Sequence, residues 1–141
     1  MSDTAEFAPL WRRLAASLYD FFPILALWMV TGAVALGVTH GEMDVRHPPM
    51  AYRAALFAVT AAYFVFSWTY GGQTLGGRAW SIRVQARDGK TLSLGMAALR
   101  FVLASVSWLV LGLGFLWVLI DAQGRAWHDL AVRSQVIRVR K

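Results

Sequence analysis

The 141-residue chain has the length of one domain; 57% of its residues are hydrophobic and only 16% are charged, against about 25% charged in an ordinary globular protein. A soluble protein of this size cannot bury so much apolar surface, so the composition excludes an ordinary soluble domain, and the lack of cysteine excludes disulfides, thiolate catalysis and cysteine-based zinc sites. The net charge of +6 comes from basic residues that flank apolar runs, which indicates contact with anionic lipid headgroups rather than with nucleic acid.

Three apolar segments predict the elements that enter the membrane: about 14–39, 54–72 and 95–120. Each contains an unbroken run without Asp, Glu, Lys, Arg or His that is close to the ~20 residues a helix needs to cross the hydrocarbon core. We therefore expect an all-α membrane protein in which the first two segments are full transmembrane helices. The glycines that follow Tyr70 are expected to form the turn that ends this helix. The alternative is that Gly72 and Gly76, a small-xxx-small match, let two helices approach closely.

Basic residues are unevenly distributed among the connections. Arg12 and Arg13 precede the first helix, and both the connection 78–100 and the tail 121–141 carry an excess of Arg and Lys. The positive-inside rule places all three in the cytoplasm. The sequence thus predicts a multi-pass protein of a bacterial inner membrane, with a cytoplasmic N-terminus and a cytoplasmic C-terminus.

The third apolar segment conflicts with that orientation if it crosses fully, because three crossings would leave the basic tail outside. Gly112 and Gly114 interrupt this segment, and glycine pairs are sites where helices bend or break. We expect two short helices, at about 94–109 and 115–128, that form a re-entrant or shallow helical hairpin. The alternative is one straight third span with an external tail.

Two short segments have the alternation of strands. Ile82, Val84 and Ala86 alternate with polar residues, and the tail 134–140 alternates in the same way. Short lone strands are unstable, so we expect the two to pair. The prediction is a small cytoplasmic β element formed by about 80–94 and 134–140.

Asp20 lies in a costly position, near the membrane-facing start of the first apolar run. An ionised carboxylate there costs about 2.5–3.5 kcal/mol on insertion scales, so it needs protein or water around it. Arg13 lies two helical turns earlier, with Ser17 between them on the same face. Asp20 is then either a cation or proton site with Arg13 nearby or a structural ion pair, for which the sequence offers Arg78, Arg100 and Arg125.

A second polar group follows the third apolar segment and comprises Asp121, His128 and Asp129. Asp121 and Asp129 would share a face if one helix continued through both. An adjacent His-Asp pair can move protons, yet no nucleophile lies at a recognisable spacing, so we expect no enzyme activity. The alternative is a helix cap or an ion pair from this group to Arg12 or Arg13. No pattern predicts a metal site or a cofactor.

Several residues resemble the signature of a known family. Arg13, Asp20 and Asp129 look like the arginine and two aspartates for which the RDD family of bacterial membrane proteins is named. The order and spacing of further residues agree with that family: Gly-Gln-Thr-Leu-Gly-Gly-Arg at 72–78, Ile-Arg-Val at 82–84, Asp-Gly at 88–89, Arg100 and Ser-Gln-Val-Ile at 134–137. The resemblance covers about residues 12–139 and departs from the pattern at Ser134, where a threonine is common.

The resemblance implies a single membrane domain over residues 1–141, and cation–proton exchange has been suggested for some members of the family. We expect a small cation/proton or solute transporter, or a subunit of one. The sequence shows no internal repeat, so a homo-oligomer is expected to complete it. Candidate residues for an ion, proton or ion-pair site are Arg13, Asp20, Arg100, Asp121, His128 and Asp129.

A second function remains open from the sequence. It is a non-transporting membrane adaptor or assembly factor that binds a membrane-protein partner or anionic lipid through its cytoplasmic basic face. In either case the lipid bilayer and its anionic headgroups are the expected partners, and nucleic acid is not.

Overall fold

The structure, a computed structural model, describes residues 6–110, 120 and 126–139. Within these residues the chain forms five helices and two strands. In chain order they are α1 (Leu10–Val38), α2 (Met50–Tyr70), α3 (Leu75–Ala79), β1 (Ile82–Ala86), α4 (Leu94–Leu109), α5 (Trp127–Ala131) and β2 (Ser134–Arg138).

The two longest helices, α1 and α2, are long and apolar enough to cross a membrane. Their 29 and 21 residues correspond to about 43 and 31 Å. The two long apolar helices expected from the sequence are thus confirmed, but both begin earlier than expected. Each starts directly after an extended proline, Pro9 or Pro49, so the first charged residues lie inside the first helical turns.

The glycine-rich stretch after α2 is more ordered than the turn predicted for it. A short turn at 71–73 leads into the helix α3, whose N-cap is Thr74. The Thr74 hydroxyl accepts a hydrogen bond from the Gly77 amide at 2.9 Å and so satisfies one of the free amides of the first turn. The predicted turn is thus confined to 71–73, and the Thr74 cap, which the prediction did not take into account, begins the helix α3.

The two predicted strands pair with each other, and this pairing is confirmed. β1 and β2 are antiparallel, with Val84 opposite Val136 at the centre of the ladder. The chain just before α1 adds to the edge of β2: the Ala8 amide donates to the Val136 carbonyl at 2.9 Å, and Phe7 forms a bridge with Ile137. The sequence did not predict this contact, which anchors the start of α1 to the sheet.

The third apolar segment begins with α4, whose bounds match the predicted helix 94–109. The predicted break at Gly112 and Gly114 and most of the second helix expected at 115–128 lie outside the described residues. One part of that expectation is corrected. Ala126 is extended, with a ψ of 168°, and α5 starts anew at Trp127, so the helix expected at 115–128 does not continue through His128.

The core lies where the start of α1, the end of α2 and the start of α4 meet the sheet. Its buried residues come from all of these elements: Ala8, Ala16, Trp68, Ile82, Val84, Leu92, Ala97, Phe101 and Val136. The rest of α1 and α2 extends away from this core with large apolar side chains exposed, such as Met29 at 69% and Phe66 at 63%. The polar residues described below are all at the core end.

Candidate functional site

Asp129 is the centre of a buried charged cluster. Its side chain is completely buried and forms ion pairs with two arginines, Arg13 from α1 and Arg100 from α4. Both arginine residues are also buried, with exposed fractions of 6% and 3%. Residues from three separate helices thus meet at one carboxylate, which ties the end of the described chain to its beginning.

Local structure orients each member of this cluster. Asp129 lies at the third position of α5, and its carboxylate accepts a hydrogen bond from the N-cap amide of Ala126 at 3.0 Å. The Arg100 guanidinium also donates to the Ser134 hydroxyl at 3.0 Å and lies 4.9 Å from the centre of the Trp68 ring. A threonine at position 134, as is common in the family pattern, offers the same hydroxyl acceptor.

The charged cluster shifts the pKa values of His128 and Asp129, its two members in α5. Burial alone raises the pKa of the Asp129 carboxyl, but the guanidinium groups of Arg100 and Arg13 outweigh it and hold the pKa well below its usual range. Burial, followed by the positive charge of Arg100, lowers the pKa of His128 to about 3. At neutral pH the cluster therefore contains a charged aspartate and a neutral histidine.

Acidification is expected to destabilise the folded chain through His128. The unfolded chain binds a proton at this residue once the pH falls below its ordinary pKa of 6.5, whereas the folded chain does so only near pH 3. Between these values one extra proton in the unfolded state lowers the free energy of unfolding by about 1.4 kcal/mol per pH unit. The measurement is the unfolding midpoint from pH 7 to pH 4.

The variant His128→Gln cannot be protonated and is expected to lose this part of the pH dependence. His47→Gln is the matched control, because the His47 side chain is 86% exposed and pairs with Asp44 near the surface. It should keep the slope of the wild-type protein. An unchanged slope in His128→Gln would show that another group causes the acid sensitivity.

A second buried polar site lies where α1 meets α3. Its central residue is Asp20, which is 3% exposed. Its carboxylate accepts three hydrogen bonds: from the Tyr63 hydroxyl at 2.7 Å, the Thr74 hydroxyl at 2.6 Å and the Gly76 amide at 2.7 Å. Gly76 allows α3 to lie this close to α1, because a Cβ at this position would lie 2.0 Å from the Ala16 carbonyl oxygen of α1. The Asp20 carboxylate is thus enclosed by neutral donors.

The ion pair considered for Asp20 from the sequence does not form within the described residues. Neither Arg78 nor Arg100 pairs with it, and Arg125 lies outside the described part of the chain. The reason is the position of α3, which brings its own amide and hydroxyl donors to the carboxylate. A carboxylate offers about four acceptor positions, and three are occupied here.

A cavity of about 150 Å³ lies between the two polar positions. Its lining includes Asp20 and Thr74 together with Arg13, Arg100 and His128. Aromatic side chains complete its wall: Phe64, Trp68 and Phe101. The arrangement places a carboxylate and two guanidinium groups around one partly open space at the end of the helices.

The structure brings together four of the six candidate residues named from the sequence, Arg13, Arg100, His128 and Asp129, and Asp20 lines the same cavity as Arg13, Arg100 and His128. Asp121 lies outside the described residues. Sequence reasoning missed Tyr63, Thr74 and Ser134, the hydroxyl partners of the charged groups. Only Thr74 carried a local signal, since it is an N-cap residue type just before a short helix.

Comparison with known proteins yields one match. The family model of the RDD family matches residues 7–133, which is most of the chain and includes Arg13, Asp20, Arg100 and Asp129. No curated protein and no solved structure matches the chain.

Proposed function

We propose, from the premise that the chain belongs to the RDD family, that it is an integral membrane transporter of a small solute or cation, with Asp20 as its proton or cation site. The observation that carries the proposal is the buried Asp20 carboxylate, which has no cationic partner in the described part of the chain and borders the cavity. Secondary transporters commonly pair two repeats around the substrate site, and this sequence shows no internal repeat. The proposal therefore includes a homo-oligomer as the working unit.

Exposure along α1 and α2 supports insertion into a membrane. A core helix of a soluble protein is mostly buried, whereas the most apolar 18-residue window of each of these helices has none of its residues buried. Large apolar side chains in water would favour aggregation, and in lipid they are stably solvated. The apolar faces of both helices therefore suit a bilayer.

Charge supports an orientation with the sheet in the cytoplasm of a bacterial inner membrane. Exposed basic residues gather around the sheet and its turns, including Arg87, Lys90 and Arg133. Short loops rich in Lys and Arg are retained on the cytoplasmic side. In this orientation the cavity opens near the cytoplasmic end of the helices, and both termini are cytoplasmic.

The surroundings of Asp20 support reversible binding of a proton or a cation. The Tyr63 and Thr74 hydroxyls donate to the carboxylate now, but each also has oxygen lone pairs that can turn toward a bound cation. Three oxygen-bearing side chains in one buried place are ligands that suit hard cations such as Na⁺. When a cation binds, its positive charge would replace the hydrogen bonds that the two hydroxyl groups donate to the Asp20 carboxylate.

The test is proton flux driven by sodium, potassium or lithium gradients in proteoliposomes. Wild-type protein is expected to give flux, and Asp20→Asn is expected to abolish it, because the amide keeps the shape of the carboxylate and removes its charge. Asp88→Asn is the matched control: this aspartate is exposed in a turn, where its carboxylate accepts the Lys90 amide at 3.0 Å. It should transport like the wild type.

Absence of flux from folded wild-type protein with every cation would contradict the proposal. The remaining function would then be the adaptor or assembly factor, for which the exposed basic residues around the sheet are the candidate contact surface. Equal flux in the wild type and in Asp20→Asn would keep transport and exclude Asp20 as its site.

A further inference from the structure

We infer that Trp11, Arg12 and Trp80 form a binding site for the phosphate group of an anionic phospholipid at the cytoplasmic surface of the membrane. The site is one place at the start of α1, distinct from the general attraction that the exposed basic residues around the sheet exert on anionic lipid. The inference rests on the membrane insertion and orientation of the proposed function but not on transport. Lipid binding is measured directly, so the two can fail separately.

Two contacts hold the guanidinium group of Arg12 in place. Its Nη1 donates a hydrogen bond to the Trp80 carbonyl oxygen at 3.0 Å, and its central carbon lies 4.9 Å from the centre of the Trp11 ring. The rings of Trp11 and Trp80 meet edge to face, with their centres 5.8 Å apart. Because the side chain is already ordered, it loses little further freedom when it binds a ligand.

The positive charge of Arg12 has no acidic partner in the described part of the chain. The two acidic residues closest to it in sequence are engaged elsewhere: Glu6 pairs with Arg138 at 3.6 Å, and Asp20 accepts its hydrogen bonds from neutral groups. A guanidinium group has five N–H donors in a planar fork, and the bond to Trp80 uses one of them. The remaining donors suit two oxygen atoms of a phosphate group.

The length of α1 places this cluster at the depth of the lipid headgroups. Its 29 residues correspond to about 43 Å, and a bilayer with its headgroup layers is about 40–45 Å thick. Trp11 and Arg12 lie in the first turn of α1, so in the proposed orientation they lie in the cytoplasmic headgroup layer. Tryptophan is enriched at this depth, and the phosphate groups of phospholipids lie there too.

An apolar stripe on α1 favours a phospholipid over free phosphate. Exposed apolar side chains follow Trp11 at intervals that keep them on one face of the helix: Leu14, Leu18 and Leu25. Their exposed fractions are 43%, 72% and 40%, and that of Trp11 is 56%. An acyl chain would lie along this stripe while its phosphate group meets Arg12. Free phosphate would make no such apolar contact.

Native mass spectrometry of the purified, delipidated full chain tests this inference. The protein is titrated with phosphatidylglycerol or with phosphatidylcholine of the same acyl chains, and the dissociation constant of the first bound lipid is measured. Phosphatidylglycerol carries a net negative charge, whereas the choline group of phosphatidylcholine would bring a second cation close to Arg12. We expect phosphatidylglycerol to bind about fivefold more tightly, as one basic residue near an anionic lipid surface provides. Inorganic phosphate at the concentration of the lipid should not displace it.

Arg12→Gln removes the charge of the site and is expected to bind the two lipids equally. Arg87→Gln is the matched control, because it removes the same charge from an exposed arginine in the turn after β1, and it should keep the preference of the wild type. Trp11→Leu removes the ring under the guanidinium group and should weaken phosphatidylglycerol binding by about twofold or more. The exposed position of Trp11 makes this variant a test that does not disturb the core.

The outcomes separate a defined lipid site from its alternatives. A preference for phosphatidylglycerol that is lost in Arg12→Gln and kept in Arg87→Gln supports the inference, whether or not the flux assay is positive. Equal binding of both lipids by the wild type overturns it, even if the protein transports cations. An equal loss in Arg87→Gln would overturn it in favour of a general charge attraction, and displacement by inorganic phosphate would do so in favour of a free phosphate site.

Discussion

Asp129→Asn is expected to lower the free energy of unfolding by about 3–5 kcal/mol, because it leaves two buried guanidinium groups without their counter-charge. Both arginines, Arg13 and Arg100, are at most 6% exposed and cannot recover their solvation without opening the core. The amide also weakens the cap on the Ala126 amide. Thermal or chemical unfolding of the purified protein in detergent measures the loss.

Asp44→Asn is the control for this result. Asp44 also pairs with a neighbouring side chain, His47, but its own side chain is 59% exposed, and solvent screens such an exposed pair. The free energy of unfolding of Asp44→Asn should stay close to that of the wild type. Equal stability of both variants would show that the charged cluster adds nothing to folding.

The stability lost in Asp129→Asn should come from the two buried arginines that are left without a counter-charge, rather than from the loss of their attraction to the carboxylate. The combined variant Arg13→Met, Arg100→Met and Asp129→Leu removes all three charges and keeps similar volumes. Replacing a whole buried ion-pair network by apolar residues is often neutral. The triple variant is therefore expected to be more stable than Asp129→Asn alone.

Gly76→Ala is expected to destabilise the chain by about 1–3 kcal/mol or more, because overpacked backbone contacts cannot be relieved by rotating a side chain. The added Cβ would lie 2.0 Å from the Ala16 carbonyl oxygen and 2.9 Å from the Asp20 carboxyl carbon. The helix α3 must then move away from α1, which breaks the hydrogen bond from the Gly76 amide to Asp20. Unfolding in detergent measures the effect.

Gly95→Ala provides the comparison for that substitution. Gly95 is also helical, in the first turn of α4, and a Cβ there would meet nothing within 4 Å. Alanine has the higher helix propensity, so this variant should be neutral or gain up to about 1 kcal/mol. A similar loss in both variants would mean that the close contact of α3 with α1 is unimportant.

Elements with a local signal were predictable from the sequence. The two long apolar runs indicated α1 and α2, the alternation at Ile82 and Val84 indicated β1, and Ser93 before an apolar run preceded α4. The signals used for α1, α2 and β1 depend on residues close together along the chain, where helical or strand periodicity acts directly, whereas the Ser93 cap was found only in the structure. The starts of α1 and α2 were missed because charged residues, Arg12 and Arg53 among them, were taken as boundaries.

The sequence by itself determined the composition of the two long helices, the paired strands and the identity of the charged residues. The sequence also offered Arg13 as one possible partner of the group at Asp129, but only the tertiary structure decided among the possible partners and brought neutral donors to Asp20. Arg13 meets Asp129 across 116 positions of sequence, and Asp20 meets Thr74 across 54. The reason is that a buried charge takes whichever donors the packed helices bring within about 3 Å, and no local pattern encodes that position.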